Sequence, residues 1–210
     1  MEIHLISDTH NQHSTLDIGT GADMIIHAGD ACVKGNYTEA KEFLYWLVKQ
    51  PYKYKIVVPG NHDPKLRGHP ELVKLAEDMG IILLLNSGVE IEGIKIYGNT
   101  TTFKSHDKCK FPIDIRTKAW ENIPSGLDIL VTHLPPYGIL DLADRGANCG
   151  CKELLKKVEE VKPAYHVFGH IHEQQRQTYI TADTIFHNVS YLDRSYGIPS
   201  NKINILHMVK

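Results

Sequence analysis

The chain has 210 residues, 42% of them hydrophobic and 23% charged, which suits one domain spanning residues 1–210 with a sizeable core. Its 23 basic and 25 acidic residues leave a net charge of −2, which argues against an extended nucleic-acid surface or membrane binding but leaves room for a small anionic substrate held through metal ions. Histidine is the outlier, at 13.

The first apolar run, residues 3–7, is interrupted by His4 and ends at Asp8, so it predicts a strand rather than a signal peptide. No apolar stretch approaches the roughly 20 residues of a membrane span. Similar short runs at 24–28, 55–58, 128–132 and 165–168 predict buried strands, each leading into a polar cluster. Between them, Asn36 and Glu39 have capping-box spacing, and Ala40, Phe43, Leu44 and Leu47 give a helical stripe stopped by Pro51. A second helix opens at Pro70, buries Leu72, Leu75, Ala76 and Met79, and closes at Gly80. Residues 81–85, 89–91 and 94–97 read as hairpin strands, and 99–124 as an irregular loop over the site. A third helix buries Cys151, Leu154, Leu155, Val158 and Val161, and strands follow at 175–180, 184–187 and 203–208. So many strands in an α/β chain predict two packed sheets flanked by helices.

Chemistry concentrates at the strand ends. Asp8-Thr9-His10 sets two ligand-type side chains two residues apart, pointing the same way if the backbone is extended. His170-Ile171-His172 repeats that spacing with two imidazoles. Asp30, after Gly29, offers two oxygens that can bridge two cations, Asn61 a neutral amide oxygen, and His133 a further imidazole. His62 beside Asp63 has the make-up of a general acid, an imidazole oriented by a carboxylate. The cysteines, Cys32, Cys109, Cys149 and Cys151, lack zinc-knuckle or disulfide-scaffold spacing, which favours a reducing, cytoplasmic setting. His27 and His166 lie inside apolar runs and read as core residues, His27 also as a support for a ligand. Open α/β sheets collect ligands at the carboxyl ends of their strands, so the clusters predict a paired-metal site, the kind that breaks phosphate esters.

These motifs, in this order, resemble the calcineurin-like metallophosphoesterase superfamily: Asp-x-His, Gly-Asp, Gly-Asn-His-Asp, a histidine after a strand, and Gly-His-x-His. Residues 132–141, 150–155 and 166–173 resemble its MPPED-type (239FB-like) class III phosphodiesterases. The resemblance implies a four-layer αββα sandwich of two mixed sheets flanked by helices, the metallo-dependent phosphatase fold. It implies Asp8, His10 and His172 on one metal, Asn61, His133 and His170 on the other, Asp30 as the bridge, and His62, steadied by Asp63, contacting the phosphate. Ala31-Cys32-Val33 stands where the protein phosphatases of the superfamily carry Asp-Arg-Gly, which argues against that branch. Asn99-Thr100-Thr101 stands where MPPED-type chains are rich in tryptophan, with only Trp120 later.

The reading is a phosphodiesterase acting on small, including cyclic, nucleotide esters, with a metal-bridging hydroxide attacking phosphorus in line. A phosphomonoesterase and a non-catalytic scaffold of the same fold are the alternatives. The oxygen- and nitrogen-rich ligand set suits Mn²⁺ and tolerates Fe, Zn, Co or Ni. Asn99, Tyr137, Arg145, Asn148 and Asn188 are the expected substrate contacts.

Overall fold

The computed structural model describes residues 1–16, 18–19, 21–102, 113–144, 146–197 and 203–208. Its first sheet orders β13(Asn204–His207), β1(Glu2–Ile6), β2(Met24–His27), β3(Tyr54–Val57) and β4(Ile81–Leu83). The second orders β11(Thr178–Ile180), β12(Ile185–Asn188), β10(Tyr165–Phe168), β7(Ile129–Thr132), β6(Ile94–Asn99) and β5(Ser87–Ile91). Helices α1(Tyr37–Val48), α2(Pro64–Gly68) and α3(Pro70–Asp78) belong to the first half of the chain, α4(Ile113–Lys118) and α5(Lys152–Val161) to the second.

Strand alternation builds the layers. Ile3, Leu5, Met24, Ile26, Ile56 and Val58 point into one buried cluster with Ile96, Ile129, Val131 and Val167 of the second sheet. Their neighbours Ile6, Ile25 and Val57 point the other way, onto Phe43, Leu44 and Leu47 of α1 and Leu72 and Ala76 of α3. Tyr97, Leu130 and Phe168 do the same on the far side, against Leu154, Val158 and Val161 of α5. Both sheets are thus covered on both faces, which is why their parallel strands read as near-continuous apolar runs. The result is helix, sheet, sheet, helix.

Helix α1 begins as its sequence predicts. The Asn36 side chain accepts the Glu39 amide at 3.0 Å, and the Glu39 carboxylate accepts the amides of Val33, Lys34 and Gly35 at 3.1, 2.8 and 3.0 Å. In α3 Leu72 and Ala76 are buried while Leu75 and Met79 pack only partly. Helix α5 ends with Lys162 in the left-handed region at φ +47°.

Two expectations change. Strand β4 joins no hairpin but pairs in parallel with β3, and of the three expected hairpin strands only β5 and β6 pair as one. The chain passes between sheets at Leu84, whose side chain fills the inter-sheet core. The irregular stretch contains α4, and Trp120 after it is fully buried against Tyr97 and Leu130. Strands β8(Leu142–Ala143) and β9(Ala147–Asn148) pair antiparallel in a separate small sheet.

Strands β1, β2 and β3 run parallel, as do β6, β7, β10 and β12. Asp8, Asp30 and Asn61 therefore leave the first sheet at one end, and His133 and His170 leave the second sheet together. Bonds between the sheets join the two ends: Ser7 N donates to Val189 O at 3.0 Å and His133 Nδ1 to Ala28 O at 2.9 Å. Asn36→Ala should cost about 1 kcal/mol of stability, the usual price of a lost N-cap, checked by urea unfolding.

Candidate metal centre

Three of the ligand-bearing turns depart from the strand by the same device. Asp8, Asp30 and His170 all take positive φ, at +53°, +57° and +71°. Side chains that are not glycine adopt this region at a cost of about 1–3 kcal/mol, and such strain gathers where function requires it. Gly29, at φ +100°, and Gly60 allow the turns to touch. A Cβ on Gly29 would stand 2.7 Å from Gly60 N and from His133 Nδ1, and one on Gly60 would stand 2.6 Å from Asp30 N.

This geometry corrects the simple reading of the spaced pairs. Asp8 and His10 do share a cluster, but at φ +53° and +38° they reach it from a turn, not from extended backbone. His170 and His172 part company. One cluster of possible ligand atoms is Asp8, His10 and His172, the other Asp30, His133 and His170, with the atoms of each within 4.8 Å of one another.

The imidazoles are oriented by main-chain carbonyls. His10 Nδ1 meets Cys32 O at 3.0 Å, His133 Nδ1 meets Ala28 O at 2.9 Å, and His172 Nδ1 meets Asp193 O at 3.1 Å. A carbonyl only accepts, so each Nδ1 carries the hydrogen and each Nε2 of the neutral ring is bare. Those bare nitrogens face carboxylate oxygens. His133 Nε2 lies 3.1 Å from Asp30 Oδ2, and His172 Nε2 and His10 Nε2 lie 3.4 and 4.0 Å from Asp8 Oδ1. None of Asp8 Oδ1, His10 Nε2, His133 Nε2 and Asn61 Oδ1 has a hydrogen-bond partner, although all are buried. Lone pairs facing lone pairs in a buried site demand a positive charge between them.

The electrostatics register the same demand. Burial opposes charge on His133, yet Asp30 and Asp8 outweigh it and raise its pKa to about 9. Burial likewise opposes charge on His172, but Asp8 raises it above the ordinary histidine value. Asp8 and Asp30 resist their own desolvation and stay below the usual carboxylate range because of these histidines. A divalent cation meets the demand with the deprotonated rings, and the donor set fits one. Asp8 is prepared for it asymmetrically: Oδ2 accepts from Ser7 Oγ, Ser190 Oγ and His170 N, while Oδ1 is left free.

His62 stands beside this group, its ring centroid 5.0 Å from that of His10. Its backbone amide donates to Asp30 Oδ1 at 2.7 Å, and its Nδ1 meets Val33 O at 2.6 Å. Asp63 was expected to steady His62 and does not. Its carboxylate is fully buried and accepts from the amides of Cys32, Gly60 and Ala31 at 3.0, 3.0 and 3.2 Å. Asp63 therefore holds the Asp30 turn against the Asn61 turn, and the carbonyl of Val33 aims His62.

The expected substrate contacts are placed differently from one another. Asn99 is buried, donates Nδ2 to Ala119 O and accepts from Thr101 N at Oδ1, and Asn188 is buried, donates Nδ2 to Ile171 O and accepts from Ser190 N. Asn148 donates to Asp141 at 2.6 Å. Asn99 and Asn188 are engaged within the fold, since a buried amide must be paired where it sits, whereas Asn148 is exposed. Tyr137 is exposed, with the Lys152 ammonium 4.8 Å over its ring. Arg145 lies outside the described residues.

Two supports reach the ligand turns from inside. His27 Nδ1 accepts from Gly29 N at 3.2 Å, so its Nε2 carries the hydrogen that reaches Thr9 Oγ1 at 3.1 Å. Thr132 gives its hydroxyl hydrogen to Leu134 O, so His166 Nε2 donates to Thr132 Oγ1 at 2.9 Å, next to His133. Burial holds both rings neutral, with pKa values of about 3.

Two predictions follow from this geometry. Adding Mn²⁺ at a hundredfold excess over its Kd to chelator-treated protein should stabilise it by about 2.7 kcal/mol. Asp8→Asn and Asp30→Asn should lose most of that gain in the same melts. The neutral His166 gives a second test. Below the unfolded value of 6.5 the unfolded chain takes up a proton that the folded one refuses down to about pH 3, so this contribution to stability falls as pH falls. Between pH 7 and 5 the wild type should lose about 2 kcal/mol more than His166→Gln, read by unfolding at the two pH values.

Comparison with known proteins agrees with the geometry. A family profile described as calcineurin-like phosphoesterase matches residues 1–174. A UPF0046 protein of Caenorhabditis elegans is 31% identical over 97% of this chain and 74% of its own length. Human metallophosphoesterase domain-containing protein 1 is 35% identical over 80% of this chain, and the match spans 59% of the human protein. Among solved structures, the phosphopantetheinyl hydrolase of Mycobacterium tuberculosis superposes with a TM-score of 0.63 at 16% identity, covering 92% of this chain and 90% of that one. TT1561 of Thermus thermophilus gives 0.62 at 15%, covering 97% of each. With two candidate metal clusters at the shared end of its sheets, the chain belongs to the calcineurin-like phosphoesterase family, and its site is that of a metal-dependent phosphoesterase.

Proposed function

We propose that this chain is a phosphodiesterase acting on small phosphoesters, including nucleotide and cyclic nucleotide esters, with Mn²⁺ as the preferred metal. Asp8, His10 and His172 would hold one cation, and Asn61, His133 and His170 the other, with Asp30 between them. When bound, such a pair supplies an activated water nucleophile and offsets the charge on the phosphoryl oxygens. The observation that carries this reading is the set of buried, unpartnered Nε2 and carboxylate atoms facing one another.

His62 is the proton donor. With Nδ1–H on the Val33 carbonyl, the protonated ring presents Nε2–H outward, and that residue is only half-buried while His10 beside it is buried. The leaving oxygen receives that proton, and the ring is left as the neutral Nδ1–H tautomer. Asp63 acts only by fixing the Asp30 and Asn61 turns.

A diester carries one negative charge on phosphorus and a monoester up to two. Among the described residues, the main charged influences on Asp8, Asp30 and His10 are imidazoles and carboxylates, with no lysine or arginine among them. That supports the diester. We also place the reaction in the cytoplasm, in line with Cys32, Cys149 and Cys151 being free thiols. No helix among the described residues is long and apolar enough to cross a membrane.

Hydrolysis of a nitrophenyl phosphodiester should vanish with chelator and return with Mn²⁺, and the matching monoester should react more slowly. A faster monoester would make the chain a phosphomonoesterase. His62→Asn should lower kcat on the order of 100-fold for a diester with an alkyl alcohol as leaving group. The loss should be much smaller with nitrophenolate, which leaves without a proton. Equal losses on both substrates would remove His62 as the acid.

A further inference from the structure

One aromatic at the site belongs to no motif. Residues 193–197 form a tight turn in which Asp193 N donates to Gly197 O at 3.1 Å. Asp193 Oδ1 accepts from Ser195 N and Gly197 N, both at 2.8 Å. The carbonyl of Asp193 is the one that meets His172 Nδ1, so this turn is tied to a candidate ligand. At its crest Tyr196 sits at φ +59°, a conformation a tyrosine seldom adopts. The Gln12 amide donates to Tyr196 O at 2.9 Å and holds the crest down.

The tyrosine ring lies against two of the three members of one cluster. Its centroid is 4.9 Å from that of His10 and 5.2 Å from that of His172. Yet Tyr196 keeps 48% of its surface exposed and joins none of the three apolar clusters. A strained backbone therefore maintains an aromatic ring that contributes little to the core. Held this way, the ring has one side on the ligand imidazoles and leaves apolar surface open to whatever enters the site. An exposed, fixed aromatic face takes up another planar ring by offset stacking, and does so with little regard to its identity.

We propose that Tyr196 forms a stacking subsite beside the candidate metal centre, which receives the planar group of a phosphoester, a nucleobase or an aryl ring. The subsite deepens the phosphoesterase reading and rests on it. The ring does the binding, and the phenol hydroxyl is dispensable.

Calorimetry on the Mn²⁺-loaded full chain tests this with AMP and ribose phosphate, which differ by the base. Wild type should bind AMP the more tightly. Tyr196→Leu should weaken AMP about tenfold and ribose phosphate much less, while Tyr196→Phe should keep AMP close to the wild-type affinity. Four results would overturn the subsite: equal affinities in wild type, an unchanged AMP affinity in Tyr196→Leu, equal weakening of both ligands, or a loss in Tyr196→Phe as large as in Tyr196→Leu. Diester hydrolysis measured on the same samples keeps the two ideas apart, because wild type that binds AMP through Tyr196 but hydrolyses nothing would refute the enzyme and leave the subsite standing.

Discussion

The site depends on a repeated hydrogen bond, from a histidine Nδ1 to a main-chain carbonyl. Cys32, Ala28 and Asp193 supply those carbonyls to His10, His133 and His172, and Val33 supplies one to His62. Each bond fixes the tautomer and the ring plane together. For the three candidate ligands this leaves Nε2 bare and aimed at Asp8 or Asp30. For His62 it leaves Nε2 free to carry and release a proton. Because the acceptors are backbone atoms in the strand-end turns, the chemistry is set by the path of the chain more than by neighbouring side chains.

That path is strained and charged, and the layers around it supply the stability. Left-handed residues at Asp8, Asp30 and His170 oppose folding. Against them stand three apolar clusters, one between the sheets and one under each helical layer. Burying both faces of both sheets makes the parallel strands rigid, and rigid strand ends can hold turns that would relax elsewhere. Buried polar residues finish the brace: Asp63 across two turns, His27 between Thr9 and Gly29, and His166 behind Thr132.

Much of this was legible in the chain. The α1 cap and stripe, the five apolar runs and the seven ligand-type residues are local patterns, and local patterns survive folding. Asp63 was misjudged because adjacency in sequence suggested a partner for His62, whereas a buried carboxylate goes to the amides that most need an acceptor. Asn99 and Asn188 are engaged within the fold, and polarity at a strand end does not by itself tell a substrate contact from a carbonyl of the fold. Tyr196 carried no signal at all, having neither a motif nor a period around it.

Which groups are available follows from the order of residues along the chain, since residue type sets donor chemistry and spacing sets the strand ends on which it rides. How those groups are shared follows from packing. His170 and His172 are two residues apart yet serve different clusters, because a left-handed turn separates them. His10 and His172 are far apart in the chain yet stack at 5.3 Å, because parallel strands of two sheets end at the same edge. Which atom of a side chain is left without a partner is a property of that packing, and it is those atoms that define the site.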